Sequence, residues 1–268
     1  MFGGRLTSTI EYYSRRTRDM LLNNPLAIAS GFSGYDDNVG SMVNRGLETS
    51  FRGVIFDRSN FHWDASLMLS MNRNKVTELT SSQDVINYGS VVIEKGKPIY
   101  TFYMSKSAGV SPSTGRQLYY AYYRYAVDKT GSIVTEKCDE YVTDNVGLAS
   151  LSKYYYGSRQ ALFSGSFSSN FTFFKNFDFS FLTTFSVGGK IYDSLYGGAM
   201  NVTYAGNNWH KNVLRRWQQP GDITDVPLVE IGGSRSSTGE ELIDASYFAI
   251  KNITLGYTLP SSLTKKAG

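Results

Sequence analysis

The 268-residue chain is poor in the residues that most enzymes and stapled domains rely on, with one cysteine, two histidines and six prolines. Cys138 has no second cysteine with which to close an internal bridge, and no CxxC or paired Cys/His spacing occurs. A disulfide framework and a structural zinc site are therefore excluded. His62 and His210 leave little material for a catalytic triad. His62 alternates with Asp64 on one strand face and reads as a structural or lumen-facing histidine, since that spacing brings no nucleophile to it. No catalytic residue is assigned, the chain is not read as an enzyme, and neither a metal nor a cofactor is expected. "GYDDN" at 34–38 and "DKTG" at 128–131 read as Asx and glycine turns, not as calcium loops. The glycines of "SAGVSPSTG" and "EIGGSRSSTG" lack the GK[ST] ending of a phosphate loop. No apolar run approaches the ~18 to 20 residues of a membrane helix, and "MFGGRLTSTIEYYSRR" lacks the apolar centre of a signal peptide. Charge is sparse at 19% of residues, with a net +4 and a pI near 8.9. The cations are scattered, which gives no reason to expect nucleic acid as a partner.

What the chain does have is aromatic residues, 15% of the total, together with 20 tyrosines and 26 glycines. That composition favours strands and turns. In "LFSGSFSSNFTFFKNFDFSFLTTFSVG", Phe163, Phe167, Phe171, Phe173, Phe177, Phe179, Phe181 and Phe185 hold one parity, while Ser164, Ser166, Ser168, Asn170, Thr172, Asp178, Ser180 and Ser186 fill the other. A period of two places the two sets on opposite faces of a strand. Leu47, Thr49, Phe51, Gly53 and Ile55 likewise alternate with Glu48, Ser50, Arg52 and Val54, and after the turn "DRSN" the residues from Phe61 to Met71 repeat the pattern. Leu6, Ile10 and Tyr12 begin a weaker example; Ile253, Leu255, Tyr257 and Leu259 form the last. In that last segment Phe248 and Ile250 fall out of phase, which predicts a β-bulge near Lys251 and Asn252.

The fold class predicted is all-β: an antiparallel, up-and-down transmembrane β-barrel wall, open, of about six strands. Strands are expected near 5–16, 44–56, 61–76, 160–174, 177–190 and 246–259. Long loops at 17–42, 79–156 and 191–245 are placed outside the cell, with tight periplasmic turns at the other end. The loop at 79–156 is expected to carry local hairpins and to add no strand to the wall. A mean hydropathy of −0.27 does not oppose this, because half of every such strand is polar. A soluble β-sandwich shares the alternation. Strand length separates the two, since 61–71 and 177–187 alternate over the ~9 to 11 residues of a tilted membrane strand. The uncharged apolar parity and the loop asymmetry point the same way.

From Trp217, "RWQQPGDITDVPLVEIGGSRSS" followed by "SYFAIKNITLGYTLP" resembles the C-terminal barrel of the SusC/RagA family of TonB-linked outer-membrane receptors. The resemblance is carried in the loop by Trp217, Pro220, Gly221, Asp222, Thr224 and Pro227, and in the strand by Ser246, Tyr247, Lys251, Asn252, Leu255, Gly256, Tyr257 and Pro260. "NRGLE", "GKPIYTFY" and "AGVSPSTG" look familial as well. The resemblance implies a barrel of about 22 strands with an N-terminal plug. It also implies location in the outer membrane of a Gram-negative bacterium, a SusD-like surface lipoprotein as lid, energy from the TonB complex, and oligosaccharide or peptide cargo. The plug, the TonB-contacting segment and the early strands of the family are missing, so the chain is expected to be a fragment, with one further strand pair to follow. Alone it is not expected to transport, because open edges leave backbone groups unpaired in lipid. Tyr119, Tyr120, Tyr122, Tyr123 and Trp209 are candidate substrate contacts, since sugars offer apolar faces to aromatic rings; packing within their own loop is the other reading. Trp217 reads as a loop-folding anchor. A surface adhesin or glycan-binding β-domain without transport is the alternative function.

Overall fold

The computed structural model describes residues 2–26, 29, 31–32, 34–38, 40–79, 85–204 and 206–260. The strands are β1 (Leu6–Thr17), β2 (Leu21–Pro25), β3 (Gly34–Asn38), β4 (Ser41–Arg58), β5 (Phe61–Glu78), β6 (Val85–Tyr88), β7 (Val91–Glu94), β8 (Thr101–Val110), β9 (Gln117–Val127), β10 (Ile133–Thr143), β11 (Lys153–Tyr155), β12 (Phe163–Phe173), β13 (Phe177–Val187), β14 (Lys190–Tyr192), β15 (Leu242–Asp244) and β16 (Tyr247–Tyr257). Two short helices, α1 (Val146–Leu151) and α2 (Ser194–Ala199), lie in the long connections.

One sheet has the order β1-β4-β5-β12-β13-β16, with every pairing antiparallel. It is an open wall whose strands run up and down, and the next strand of the wall after β5 is its neighbour β12. The alternation keeps its phase across strands. Phe171 faces Trp63 on one side and Phe179 on the other, and their rings form one continuous tier. Two tight turns close one end. At the second, Phe174 and Lys175 both take positive φ (51° and 65°), a turn whose twist suits a hairpin. Asn176 then ties this end to β16 through two 2.7 Å hydrogen bonds with Thr258.

Wall strands differ from the predicted limits chiefly at the other end. β4 begins at Ser41 and β5 continues to Glu78, while β13 stops at Val187, where Gly188 and Gly189 (φ 78° and 80°) turn the chain away. Three bulges interrupt the wall: besides one at Thr77, where Ser41 pairs with Glu78 and Met42 with Val76, two adjust the phase of the apolar face. Leu182 pairs with Asn252 and Thr183 with Ile250, which leaves Lys251 as the extra residue and keeps Phe248, Ile250 and Ile253 on one face. The other bulge was not expected: Val54 pairs with Asp64 and Phe56 with Trp63. Ile55 is the extra residue, so the aromatic face continues through Phe56, whose ring stacks on Trp63 at 5.9 Å.

The loop end folds more fully than local hairpins. Strands β10-β9-β8-β7-β6 form a second sheet, with β11 added to β8. "GYDDN" is a strand and not a turn, because it pairs with β2 and Asn23 Nδ2 donates to Asp36 Oδ1 at 3.0 Å. "DKTG" is a turn, its Asp128 Oδ1 accepting from Thr130 and Ser132. The packed cores all lie here: Met20, Leu22, Val76, Ile86 and Ile93 form one, Val91, Phe102 and Met104 a second, and Met200, Val202, Val213 and Val226 a third. Val76, at the loop end of β5, is the one large hydrophobic residue of the described wall to be buried.

Candidate functional site

The two faces of the wall differ in shape as well as in chemistry. A hollow of about 510 Å³ spans the sheet from Thr9 on β1 to Tyr247 on β16, lined by Glu11, Glu48, Ser50, Ser70, Ser166 and Thr184 among others. Ten of its fourteen lining residues belong to the polar parity and four, Thr49, Leu69, Gly165 and Phe185, to the aromatic one, so the hollow lies mainly on the polar face, which is concave. The aromatic face is convex and no second layer covers it: Ile10, Ile253 and Leu255 stand 65%, 62% and 77% exposed. Its few polar groups are largely answered within the sheet. Trp63 Nε1 donates to Ser169 Oγ at 2.8 Å, and Thr183 Oγ1 donates to the Phe167 carbonyl at 3.2 Å. On the concave face Asp64 sits among Asn170 Nδ2 (3.1 Å), Arg52 (3.7 Å) and His62 (3.7 Å).

A second arrangement lies on the loop domain. Strands β8, β9 and β11 bring together Tyr103, Tyr120, Tyr122, Tyr154 and Tyr155. Tyr103 meets Tyr155 at 4.7 Å, and Tyr122 meets Tyr154 edge-on at 5.4 Å. Lysines lie over the rings: Lys106 Nζ is 4.1 Å from the centre of Tyr120, and Lys97 Nζ is 3.9 Å from that of Tyr155. Each such contact gains from the ring's negative face. Tyr154 donates to Glu140 at 2.7 Å, and Tyr155 donates to Glu94. Burial, and after it these carboxylates, push both hydroxyls above the ordinary tyrosine value, while burial acts alike on Tyr122. They therefore remain protonated donors throughout the physiological range. Glu140 is held below the usual carboxylate value by the Tyr154 hydroxyl and then by Lys106, and burial lowers Lys153. The patch is an aromatic floor with fixed hydrogen-bonding groups at its edges, a chemistry suited to ligands with both apolar faces and hydroxyl or amide groups.

No family model matches the chain. Individual relatives do. TonB-dependent receptor P39 of Formosa agariphila is 28% identical over 304 residues, a match covering 99% of this chain and 29% of that receptor. TonB-dependent receptor SusC of Bacteroides thetaiotaomicron is 27% identical over 281 residues, covering 95% of this chain and 24% of SusC. Among solved structures, that of the RagAB peptide transporter superposes with a TM-score of 0.78 at 28% identity, over 98% of this chain and 28% of that one. This chain is of the SusC/RagA type. It spans less than a third of the length of the relatives it matches. Its open antiparallel wall corresponds to part of a TonB-dependent receptor barrel, and the names its relatives carry are those of receptors and transporters.

In this SusC/RagA-type chain the loop motif is a self-bonded knot. The Trp217 ring lies on Gly115, whose positive φ (70°) and missing side chain make room for it, and Trp217 Nε1 donates to the Pro112 carbonyl at 3.0 Å. Gly221 N donates to the same carbonyl at 2.9 Å. Asp222 Oδ2 accepts from Gln218 N and Gln219 N, and Thr224 Oγ1 donates to the Arg215 carbonyl at 2.6 Å. Pro227 lines a cavity of about 180 Å³ shared with Arg235, and Pro220 precedes the Gly221 turn (φ 99°). In the strand motif, Lys251 and Asn252 make the bulge and Tyr257 stacks on Phe177 at 4.5 Å. A Cβ on Gly256 would meet Asp178 only at ordinary contact distance, so space does not account for that glycine.

The candidate ligand residues divide. Tyr120 and Tyr122 belong to the patch. Tyr119 does not: it is 1% exposed and its hydroxyl accepts from Ser236 N at 3.2 Å, because Tyr119 and Ala121 of β9 point to the loop core. Tyr123 stacks on Tyr122 at 5.2 Å and lies under Lys137. Trp209 is 36% exposed, and its ring meets none of these tyrosines among the described residues. Tyr103, Lys106 and Glu140 were missed. The alternation of "TFYMSK" was the one local signal for Tyr103 and Lys106, and it does not say which strand lies beside it.

Proposed function

We propose that the chain forms a sector of the wall and outer surface of a TonB-dependent importer in the outer membrane of a Gram-negative bacterium, carrying oligosaccharides. One observation carries this reading: the aromatic face is convex and uncovered, while the face of Ser, Thr and Glu is concave. A soluble sandwich buries such an apolar face under a second sheet. From Phe61 to Met71 the apolar face extends ~33 Å along the strand at ~3.3 Å per residue, which at a tilt near 40° spans about the 25 Å of an outer-membrane apolar band. The concave face then lines a wet passage, and the tyrosine patch meets cargo. Exposed Leu195, Leu214 and Ile223 on the loop side (86%, 72% and 94%) suit docking of a SusD-like lipoprotein lid. An adhesin would use the patch but leaves the polar hollow without a role. Peptide cargo is the second reading, favoured by the likeness to a solved peptide transporter. The reading includes no catalytic role.

The test is uptake of fluorescent oligosaccharides and peptides by cells carrying the whole receptor. Import is expected to require TonB and to fall about tenfold when Tyr103, Tyr122 and Tyr154 are changed to Ala. Surface binding without import would favour the adhesin, and import surviving the loss of TonB would overturn the proposal.

A further inference from the structure

The register of the first three wall strands sets four cations on the convex face, just beyond the apolar belt on the loop side. Arg45 lies directly opposite Arg73, while Val43 lies opposite both Lys75 and Arg16. Arg16, Arg45, Arg73 and Lys75 are all exposed. Their neighbours of the other parity, Asn74 and Val76, are buried at the foot of the loop domain, so the cations face away from the lumen. Glu78, 3.1 Å from Arg16, is the one carboxylate paired with the patch among the described residues. Arg73 Nη1 reaches along the sheet to the Leu162 carbonyl at 3.0 Å.

Two arginines directly opposite each other on adjacent strands repel, at a cost that an anion placed between them reverses. Directly below lie Leu47 and Met71, paired across the same two strands. A ligand that fits has an anionic head and an apolar tail along one line. We propose that Arg45, Arg73 and Lys75, flanked by Arg16, bind the phosphate of an anionic lipid in the leaflet on the long-loop side. The two guanidinium forks match phosphate oxygens, and the lysine, one step further toward the loops, adds a point charge at head-group height. This site rests on the membrane reading above but is separate from lumen, cargo and lid.

The whole receptor, purified from outer membranes, is examined by native mass spectrometry in micelles doped with phosphatidylglycerol or phosphatidylcholine. Preferential retention of phosphatidylglycerol is expected. The R45Q/R73Q/K75Q variant is expected to lose that preference by on the order of a hundredfold, and K75Q alone by about fivefold, so K75Q serves should the triple variant fail to assemble. Equal retention of both lipids, or unchanged preference in K75Q and in an assembled triple variant, overturns the proposal. Displacement by millimolar inorganic phosphate marks a free-anion site and also overturns it. A receptor that does not fractionate with membranes sinks the importer reading instead.

Discussion

Tyr13 lies across Gly46, the residue directly opposite it on the neighbouring strand, and donates to Asn72 Oδ1 at 3.2 Å on the strand beyond. One side chain thus spans three strands of the concave face, and a Cβ at position 46 would come to 2.3 Å from its ring carbon Cζ. Gly165 is closed in comparably, by the Phe185 ring at 2.7 Å and the Met68 carbonyl. Replacing Gly46 by Ala is expected to displace Tyr13 and destabilise the assembled receptor by about 1–3 kcal/mol, the range for overpacking. Adding Tyr13→Ala should recover part of the loss. Thermal unfolding in detergent measures both, and an unchanged midpoint for Gly46→Ala would show that the ring moves freely. Nothing in "NRGLE" discloses this contact, since the tyrosine that needs the glycine is 33 positions away.

The bulge in β16 shows how far a phase error can be read at the scale of an element. Phe248 and Ile250 clash in parity with Ile253 and Leu255, and the conflict is resolved by one extra residue, Lys251. Deleting Lys251 would join Ile250 to Asn252 in a continuous ladder with every other pairing kept. Assembly in the outer membrane at the normal level is expected. Deleting Ser168 from the regular β12, paired on both sides, would swing half its phenylalanines to the concave face and is expected to abolish assembly. Heat-modifiable mobility on gels separates the cases; equal assembly of the two would refute the role given to the bulge. The bulge at Ile55 escaped notice because "VIF" is apolar on both parities and carries no phase mark. Tyr119 was misjudged for a kindred reason, since β9 carries tyrosines on both faces.

At the scale of the whole molecule, the wall and the loop domain solve burial differently. The loop domain encloses cores of its own, while the wall buries almost nothing in itself and depends on what surrounds it. Arginine at Leu67, in the middle of the convex belt, is expected to cost roughly 2 to 4 kcal/mol on refolding into bilayers. Arginine at Ser166, which pairs with Met68 on the concave side, should cost little. Equal losses at the two positions would mean that lipid does not touch the convex face.

Alternation by itself determined the six-stranded antiparallel wall, which parity faces which way relative to its neighbours, and the bulge at Lys251. This was possible because a strand's two faces are a local property with a period of two. Only the tertiary structure decided that the polar face is the concave one, that Tyr103 joins Tyr155 and leaves Tyr119 buried, and that Arg45 confronts Arg73. Curvature and register are relations between strands distant in the chain, set by pairing and packing that no single segment carries within itself.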